Sequence, residues 1–391
     1  MRELLLPTAE GTLRRYRPGS AQYRGGRNAP ARCRVAFAAA HVVADPLRSW
    51  GPDGPTMVDW EATLAYRAYL WELGLGVAEA MDTAQRGMGL DWPTARELIR
   101  RSSALARAVG GRLACGVGTD QLAPSRAPDL AAVRAAYMEQ CGFVQEQGSQ
   151  IIVMASRQLA ACARGPEDYL AVYDRILSQA QHPVILHWLG DMFDPLLHGY
   201  WGSADLSRAM DTCLQVVALH PGKVDGIKLS LLDPVHELRL RQLLPQGVRL
   251  YTGDDFHYPE LILGDEQGHS DALLGIFDAI APSAAHALAA LDQGDTARYR
   301  AILEPTVPLA RHVFAPPTHR YKTGVVFLAY LNGHQRHFRM VGGQESARSV
   351  VHLAELFILA DRAGVLRDPE LAAHRMGQVL QTAGVGEERG A

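Results

Sequence analysis

The chain has 391 residues, 48% of them hydrophobic and 21% charged, and a formal net charge of −3 at pH 7. This composition is typical of a globular protein with enough apolar material for a large core. The net charge is small and no segment is rich in Lys and Arg, so the chain lacks the usual features of a nucleic-acid-binding protein.

No segment of the sequence has the features of a membrane span or a secretion signal. The apolar stretches are all shorter than the roughly 18 residues that a membrane span requires. At the N-terminus, Leu4–Leu6 is followed at once by Pro7 and then by polar residues, unlike a signal peptide. The five cysteines form no Cys-x-x-Cys pair and are typical of buried thiols in a reducing compartment. We therefore expect a cytoplasmic protein that contacts neither membrane nor nucleic acid.

Between residues 35 and 283, short apolar runs typical of buried strands alternate with segments of helical periodicity. The predicted strands cover 35–40, 76–81, 112–117, 151–154, 183–187, 224–229, 248–252 and 272–276. The predicted helices between them cover 58–73, 92–109, 129–147, 167–179, 206–219, 234–243 and 258–263. Asp59 stands near the start of the first helix, where we expect it to be a cap or a first-turn residue. These repeats predict an α/β fold, a (β/α)₈ TIM barrel with about 250 residues.

The parts of the chain before and after the barrel have different patterns. Residues 1–33 are rich in Arg, Gly and Pro and are predicted to form an extended arm that packs on the surface or on a neighbouring subunit. From residue 284 the pattern is only helical, with predicted helices at 284–291, 296–313, 321–331, 346–363 and 369–382. We therefore predict an N-terminal arm (1–33), a barrel (34–283) and a C-terminal helical extension (284–391). Within this extension, Asn332–His337 is predicted to be a solvated loop.

The predicted sixth strand carries Lys228 near its C-terminal end. The chain has three lysines (Lys223, Lys228 and Lys322) against 36 arginines, which indicates that lysine is kept where arginine cannot replace it. One such role is covalent, because a buried amine has a lowered pKa and, once neutral, condenses with a carbonyl group to form a Schiff base. The C-terminal ends of barrel strands are also where this fold places its chemistry. The alternative is a structural lysine at the mouth of the barrel.

Three motifs resemble those of one enzyme superfamily and occur in the same order. They are Gly226–Lys228 on the sixth strand, Gly253–Asp255 after the seventh, and Leu291–Asp295 before a long helix. Over about residues 59–366, the chain resembles the dihydrodipicolinate synthase and N-acetylneuraminate lyase superfamily of class I Schiff-base barrels. The resemblance implies an imine on Lys228, no further cofactor and no metal. It also implies assembly as a homodimer or homotetramer.

Two positions depart from the pattern of that superfamily. At the end of the fifth strand, where the resemblance implies a proton-transferring tyrosine, this chain has His187, which can also act as a general acid or base. The loop after the second strand, which in the superfamily holds a substrate carboxylate, is here Asp82–Arg86. Asp82 would repel a carboxylate, Thr83 could donate its hydroxyl, and Arg86 would either attract a carboxylate or lie solvated. We therefore assign Asp82 and Thr83 to substrate binding and expect a keto sugar or a related hydroxy-carbonyl compound in preference to pyruvate.

The turn after the seventh strand supplies the other predicted substrate contacts. These are Gly253, Asp254, Asp255 and His257. One aspartate is expected to bind substrate hydroxyls while the other caps the next helix. His257 fits either a substrate contact or a residue of the first helical turn.

The leading hypothesis is a class I lyase or aldolase that acts on a small-molecule carbonyl substrate, either a keto acid or a keto sugar. Lys228 would form the imine and His187 would transfer the proton, in a C–C cleavage, a condensation or a dehydration. Two alternatives stay open: a metal-dependent sugar isomerase or hydrolase on the same barrel, and a barrel that binds a ligand without catalysis. The candidate metal ligands for the first alternative are His41, Glu79, His187, Asp254 and His257.

Overall fold

A computed structural model describes residues 3–19, 26–48, 54–122 and 129–385, which form two compact units. The barrel unit consists of Arg34–Ala40 and the described part of Leu75–Gly275. The helical unit consists of the described parts of Met1–Cys33, His41–Gly74 and Ile276–Ala391. The three regions predicted from the sequence stay a prediction.

The strands are β1 (Leu4–Pro7), β2 (Leu13–Tyr16), β3 (Ala36–Ala39), β4 (Gly76–Glu79), β5 (Leu113–Val117), β6 (Gln150–Val153), β7 (Val184–Leu189), β8 (Val224–Ser230), β9 (Arg249–Thr252) and β10 (Asp271–Leu274). The α-helices are α1 (Trp60–Glu72), α2 (Trp92–Val109), α3 (Leu130–Glu146), α4 (Arg157–Cys162), α5 (Pro166–Gln179), α6 (Leu206–Leu219), α7 (Pro234–Leu243), α8 (Tyr258–Leu263), α9 (Ile276–Ala279), α10 (Ala281–Asp292), α11 (Thr296–Leu303), α12 (Val307–Val313), α13 (Tyr321–Leu331), α14 (Val350–Arg362) and α15 (Pro369–Thr382).

Strands β3–β10 form a closed barrel in the barrel unit. Each strand pairs in parallel with the next along the chain, and β10 closes the barrel by pairing with β3. Helices α2–α8 connect these strands within the same unit. The predicted (β/α)₈ barrel with a C-terminal helical part is therefore confirmed.

The interior of the barrel follows from the alternation of side chains along each strand. A cluster of buried apolar residues includes Phe37, Ala78, Ile185 and Tyr251, one from each of four strands. Residues two positions further along a strand point to the same side of the sheet. The side chain of His187, two residues after Ile185, therefore points to the same inner face.

The helices begin and end where the sequence supplies the required caps. The carboxylates of Asp59, Asp91 and Asp129 each accept a hydrogen bond from a backbone amide in the first turn of α1, α2 and α3. Of the two roles predicted for Asp59, the structure shows the cap. Helix α2 ends at Gly110, whose φ of +69° is a left-handed conformation that glycine adopts without a steric penalty.

The helical unit contains a hairpin, the helix α1 and helices α9–α15. Strands β1 and β2 pair antiparallel, so the described part of the predicted extended arm includes regular structure. The single helix predicted over 296–313 is wrong, since α11 ends at Leu303 and α12 begins at Val307. A turn that contains Pro305 separates them, because proline cannot donate the hydrogen bond that a continuous helix requires.

The tract Asn332–His337 also differs from the solvated loop that the sequence predicted. Gln335 is buried, and its side-chain amide donates a hydrogen bond of 2.7 Å to the carbonyl of His337. The backbone carbonyl of Gln335 accepts a hydrogen bond from the guanidinium of Arg375 on α15. The Gln335 side chain is therefore buried within the loop, and the Gln335 backbone carbonyl holds the loop against α15.

Candidate active site

Lys228 lies on β8 inside the barrel unit and is 7% exposed. Its Cα is paired with that of His187 on β7 and with that of Tyr251 on β9. Burial lowers the pKa of its amine, and the carboxylates of Asp82 and Asp255 offset only part of this effect. The amine is therefore more available in its neutral, nucleophilic form than that of an exposed lysine.

His187 is fully buried beside Lys228. Its Nε2 lies 3.3 Å from the Ser230 hydroxyl, and its Nδ1 has no hydrogen-bond partner among the described residues. Burial, with a further contribution from Lys228, holds its pKa well below the usual value for histidine. The ring is therefore neutral near pH 7, and in the tautomer that donates from Nε2 to Ser230 its Nδ1 is unprotonated and able to act as a base.

Gly253 allows β8 and the loop after β9 to approach each other closely. A Cβ at this position would lie 2.2 Å from the Ser230 hydroxyl, 2.8 Å from the Leu229 carbonyl and 3.1 Å from Lys228 Cε. Any other residue would therefore displace atoms of β8, the Lys228 side chain among them. Gly253 acts by shaping the site, and the predicted substrate contact at this position stays a prediction.

The two aspartates after β9 have different surroundings. Asp254 Oδ1 accepts hydrogen bonds from the amides of Phe256 and His257, at 2.8 and 3.0 Å, and Oδ2 lies 2.9 Å from His257 Nδ1. Asp254 therefore organises the turn, and His257 is bound to it. Asp255 is also buried, and its charge acts on the amine of Lys228. Of the two carboxylates, Asp255 is the better placed to influence the chemistry of Lys228.

The loop after β4 brings Asp82 into the field of Lys228 but does not leave Arg86 free. Thr83 is almost completely buried. Arg86 is buried as well, and its guanidinium pairs with both carboxylate oxygens of Asp120 and donates to the side chain of Gln140. The interpretation of Arg86 as a solvated charge is therefore wrong, and its role as a carboxylate clamp stays a prediction.

A cavity of about 180 Å³ lies among the loops that follow β4, β5, β6 and β7, at the C-terminal ends of these strands. Asp82 and Arg86 contribute to its lining. Thr119, Ser156 and Gln158 supply further polar groups that the sequence-based assignment missed. Thr119 Oγ1 lies 2.6 Å from Ser156 Oγ and donates a hydrogen bond of 2.7 Å to Gln158 Oε1. Their positions just after β5 and β6 are the signal that could have identified them.

The residues proposed as metal ligands do not form a metal site. Within the described ranges, no group of three or more His, Cys, Asp or Glu side chains has an arrangement that could hold a metal ion. Glu79 accepts hydrogen bonds from the Ser102 hydroxyl and the Ala80 amide. His41, in the helical unit, has its Nδ1 2.9 Å from Asp278 Oδ2. The donor set thus does not favour the metal-dependent alternative.

Glu237 on α7 is a buried acid that the sequence analysis did not single out. Its carboxyl accepts hydrogen bonds from Ser270 Oγ at 2.7 Å and from Thr252 Oγ1 at 3.0 Å. Burial raises its pKa to about 8, and the charge of Asp254 acts in the same direction. Because the Thr252 hydroxyl also accepts a hydrogen bond from the amide of Asp254, Glu237 supports the turn that follows β9.

We expect Glu237→Gln to change how stability depends on pH. Between pH 4.5 and about 8, the folded protein keeps the proton of Glu237 that the unfolded chain has lost. The free energy of unfolding of the parent protein should therefore fall with rising pH, by up to about 1.4 kcal/mol per pH unit from this group. Glutamine stays neutral, so the unfolding free energy of the variant should not fall in this way. Measured by urea unfolding, it should therefore rise relative to that of the parent between pH 5.5 and pH 8. Parallel pH dependences in the two proteins would contradict the raised pKa.

Comparisons with known proteins identify the fold and the family. A dihydrodipicolinate synthase from Acinetobacter baumannii, solved with pyruvate, is 15% identical, covers 85% of this chain and 99% of its own, and superposes with a TM-score of 0.63. The enzyme from Thermotoga maritima is 14% identical, covers 85% of this chain and 99% of its own, and superposes with a TM-score of 0.61. The dihydrodipicolinate synthase from Aquifex aeolicus is 12% identical, covers 91% of this chain and 100% of its own, and superposes with a TM-score of 0.60. The likeness predicted from the motifs is thus confirmed for the fold.

The sequence comparisons give the family of the chain. No curated protein matches the chain. None of the described helices is both long enough and apolar enough to cross a membrane. The model of a family described as "Protein of unknown function (DUF993)" matches residues 4–385. The chain therefore belongs to the DUF993 family.

Proposed function

We propose that the protein is a class I lyase or aldolase that forms a Schiff base on Lys228. The observation that carries this proposal is a buried amine of lowered pKa beside a buried, neutral histidine on the next strand. The dihydrodipicolinate synthase-like fold supports the same class of chemistry. The other two lysines are engaged elsewhere, since Lys223 Nζ donates to the Ala180 carbonyl and Lys322 Nζ donates to the His319 carbonyl.

In the proposed reaction, the Lys228 amine adds to the substrate carbonyl, and loss of water gives an iminium ion. The iminium then accepts the electron pair of the breaking C–C bond and becomes an enamine, while a substrate hydroxyl gives up its proton and becomes a carbonyl group. His187 takes that proton at its free Nδ1. Protonation of the enamine carbon followed by hydrolysis releases the second product and restores the amine. Condensation is the reverse sequence.

We propose an uncharged, hydroxylated carbonyl compound, such as a keto sugar, as the substrate class. Lys228 and His187 are not in the lining of the cavity, but Asp82, whose charge acts on Lys228, is. The lining has three carboxylates and two guanidinium groups. Both guanidiniums are used, because Arg86 pairs with Asp120 and Arg157 pairs with Asp194. No unpaired cation of the described lining is therefore available to hold a substrate carboxylate, whereas Asp82, Thr119 and Ser156 offer groups that bind hydroxyls.

Borohydride trapping tests the proposal directly. The protein is incubated with dihydroxyacetone, fructose or pyruvate, reduced, and analysed by intact mass and peptide mapping. We expect one reduced adduct, located on Lys228, with higher yield from the uncharged hydroxy ketones than from pyruvate. Lys223, which is partly exposed, is an internal control for surface reaction, and Lys322 is a control for a second buried amine. Adducts spread equally over the three lysines, or none with any carbonyl compound, would contradict imine chemistry at Lys228.

A further inference from the structure

The helical unit contains a second cavity, of about 510 Å³, whose lining includes no group used in the proposed reaction. It lies between the end of α13, the loop that follows it, α14 and α15. Its volume falls within the roughly 300–1,000 Å³ that is usual for small-molecule sites. The loop is the polar tract around Arg336, for which the sequence analysis gave no role.

One side of this cavity is apolar. The rings of Tyr330 and Phe338 stand nearly parallel, with their centroids 6.2 Å apart and an interplanar angle of 19°. Leu353 on α14 and Val379 on α15 add aliphatic surface to the lining. Tyr330 is held in place by its hydroxyl, which donates a hydrogen bond of 2.8 Å to Gln378 Oε1. These side chains form a fixed surface against which a flat apolar group can pack.

The other side of the cavity is cationic. Three arginines and one glutamate line it: Arg336, Arg339, Arg348 and Glu345. Only one of these arginines has a carboxylate partner within the cavity, since Arg339 NH1 lies 2.9 Å from Glu345 Oε1. The lining therefore carries two positive charges in excess.

The two remaining arginines differ in how they are held. Arg348 donates to the backbone carbonyls of Ala315, Pro316 and Pro317, and no carboxylate among the described residues pairs with it. Arg336 is exposed and has no hydrogen-bond or ion-pair partner in the described part of the chain. Arg348 thus supplies a fixed charge, and Arg336 supplies hydrogen-bond donors that have no partner among the described residues.

We infer that this cavity binds a small organic anion, in which a phosphate or carboxylate is attached to an apolar body. The anionic group would pair with Arg336, whose planar guanidinium matches either anion by two parallel hydrogen bonds. The apolar body would pack on Tyr330 and Phe338. This inference uses no residue of the barrel unit and does not depend on the proposed function.

Isothermal titration calorimetry of the full chain with four probes tests the inference. The probes are phenyl phosphate, benzoate, benzyl alcohol and inorganic phosphate. We expect phenyl phosphate, benzoate or both to bind at least tenfold more tightly than benzyl alcohol and inorganic phosphate, because only the first two combine an anion with a ring. Preference for one of the two anions identifies the head group. Equal affinities for the charged and uncharged aromatic probes, or no binding by either anion, would overturn the inference.

Variants of single arginines locate the binding. Arg336→Gln should weaken binding of the aromatic anion about tenfold, because it removes a charged hydrogen-bond donor. Arg298→Gln is the matched control, since Arg298 is also exposed and lies outside the cavity lining. Arg336 has no partner to lose among the described residues, so both variants should unfold at the temperature of the parent. Equal losses of affinity in the two variants would place the anion elsewhere and overturn the inference.

Discussion

Lys228→Met is expected to abolish both the reducible adduct and turnover while making the folded protein more stable. Methionine is unbranched and of similar length, so it fills the position without a change in shape. It has no amine, so no imine can form. Because burial lowers the pKa of the Lys228 amine by more than the carboxylates of Asp82 and Asp255 raise it, the folded state bears a net cost for this charge, which methionine removes. Urea unfolding and borohydride trapping measure the two effects on the same samples.

The stability gain in Lys228→Met should depend on pH if it comes from removing a buried amine, whereas a gain from better packing should not. The cost of burying Lys228 is fully present where both folded and unfolded chains are protonated, and it disappears as the pH approaches 10.5, the ordinary lysine value. The stability gain in Lys228→Met should therefore shrink as the pH rises. Lys223→Met is the control, because this lysine is only partly buried and donates to a backbone carbonyl. Retention of the adduct in Lys228→Met would contradict the proposed chemistry.

The barrel could be predicted from the sequence because its elements repeat one strong pattern. The bounds of α2, α6, α7 and α8 coincide with the predicted ones, and each of these helices follows a short apolar strand. The hairpin of β1 and β2 could not be predicted in the same way. Most of β2 is exposed, so its sequence lacks the alternation of apolar and polar residues that marks a half-buried strand. Helix α4 has only six residues, too few for a helical period to appear.

The position of the buried lysine in the candidate site could be predicted, but its surroundings could not. Lys228 is conspicuous because lysine is rare in this chain and because it lies near the C-terminal end of a predicted strand. The pairing of Arg86 with Asp120 joins two loops that are 34 residues apart, and nothing in either loop indicates the other. The same holds for Thr119 and Ser156, 37 residues apart. Such contacts depend on how the barrel closes, which no local pattern determines.

Gly253→Ala is expected to reduce both stability and turnover, because a methyl group has no room between β8 and the loop after β9. Its Cβ would lie 2.8 Å from the Leu229 carbonyl, which is backbone and cannot move aside without shifting the strand. Overpacking of this kind typically costs about 1–3 kcal/mol. A displacement of Lys228 by about 1 Å would lower turnover on the order of 100-fold. Thermal or urea unfolding and the rate with the best trapped carbonyl compound provide the measurements.

Gly142→Ala is the control for Gly253→Ala, since Gly142 lies within α3 and a Cβ there would have no neighbour within 4 Å. This variant should gain about 0.5–1 kcal/mol in unfolding free energy, because alanine loses less conformational freedom in a helix than glycine. Its turnover should equal that of the parent. If Gly253→Ala still forms the Lys228 adduct but turns over slowly, the methyl group acts by misplacing the amine relative to His187. If Gly253→Ala instead matched Gly142→Ala in both measurements, the close approach of β8 to the loop after β9 would be wrong, and with it the placement of Lys228.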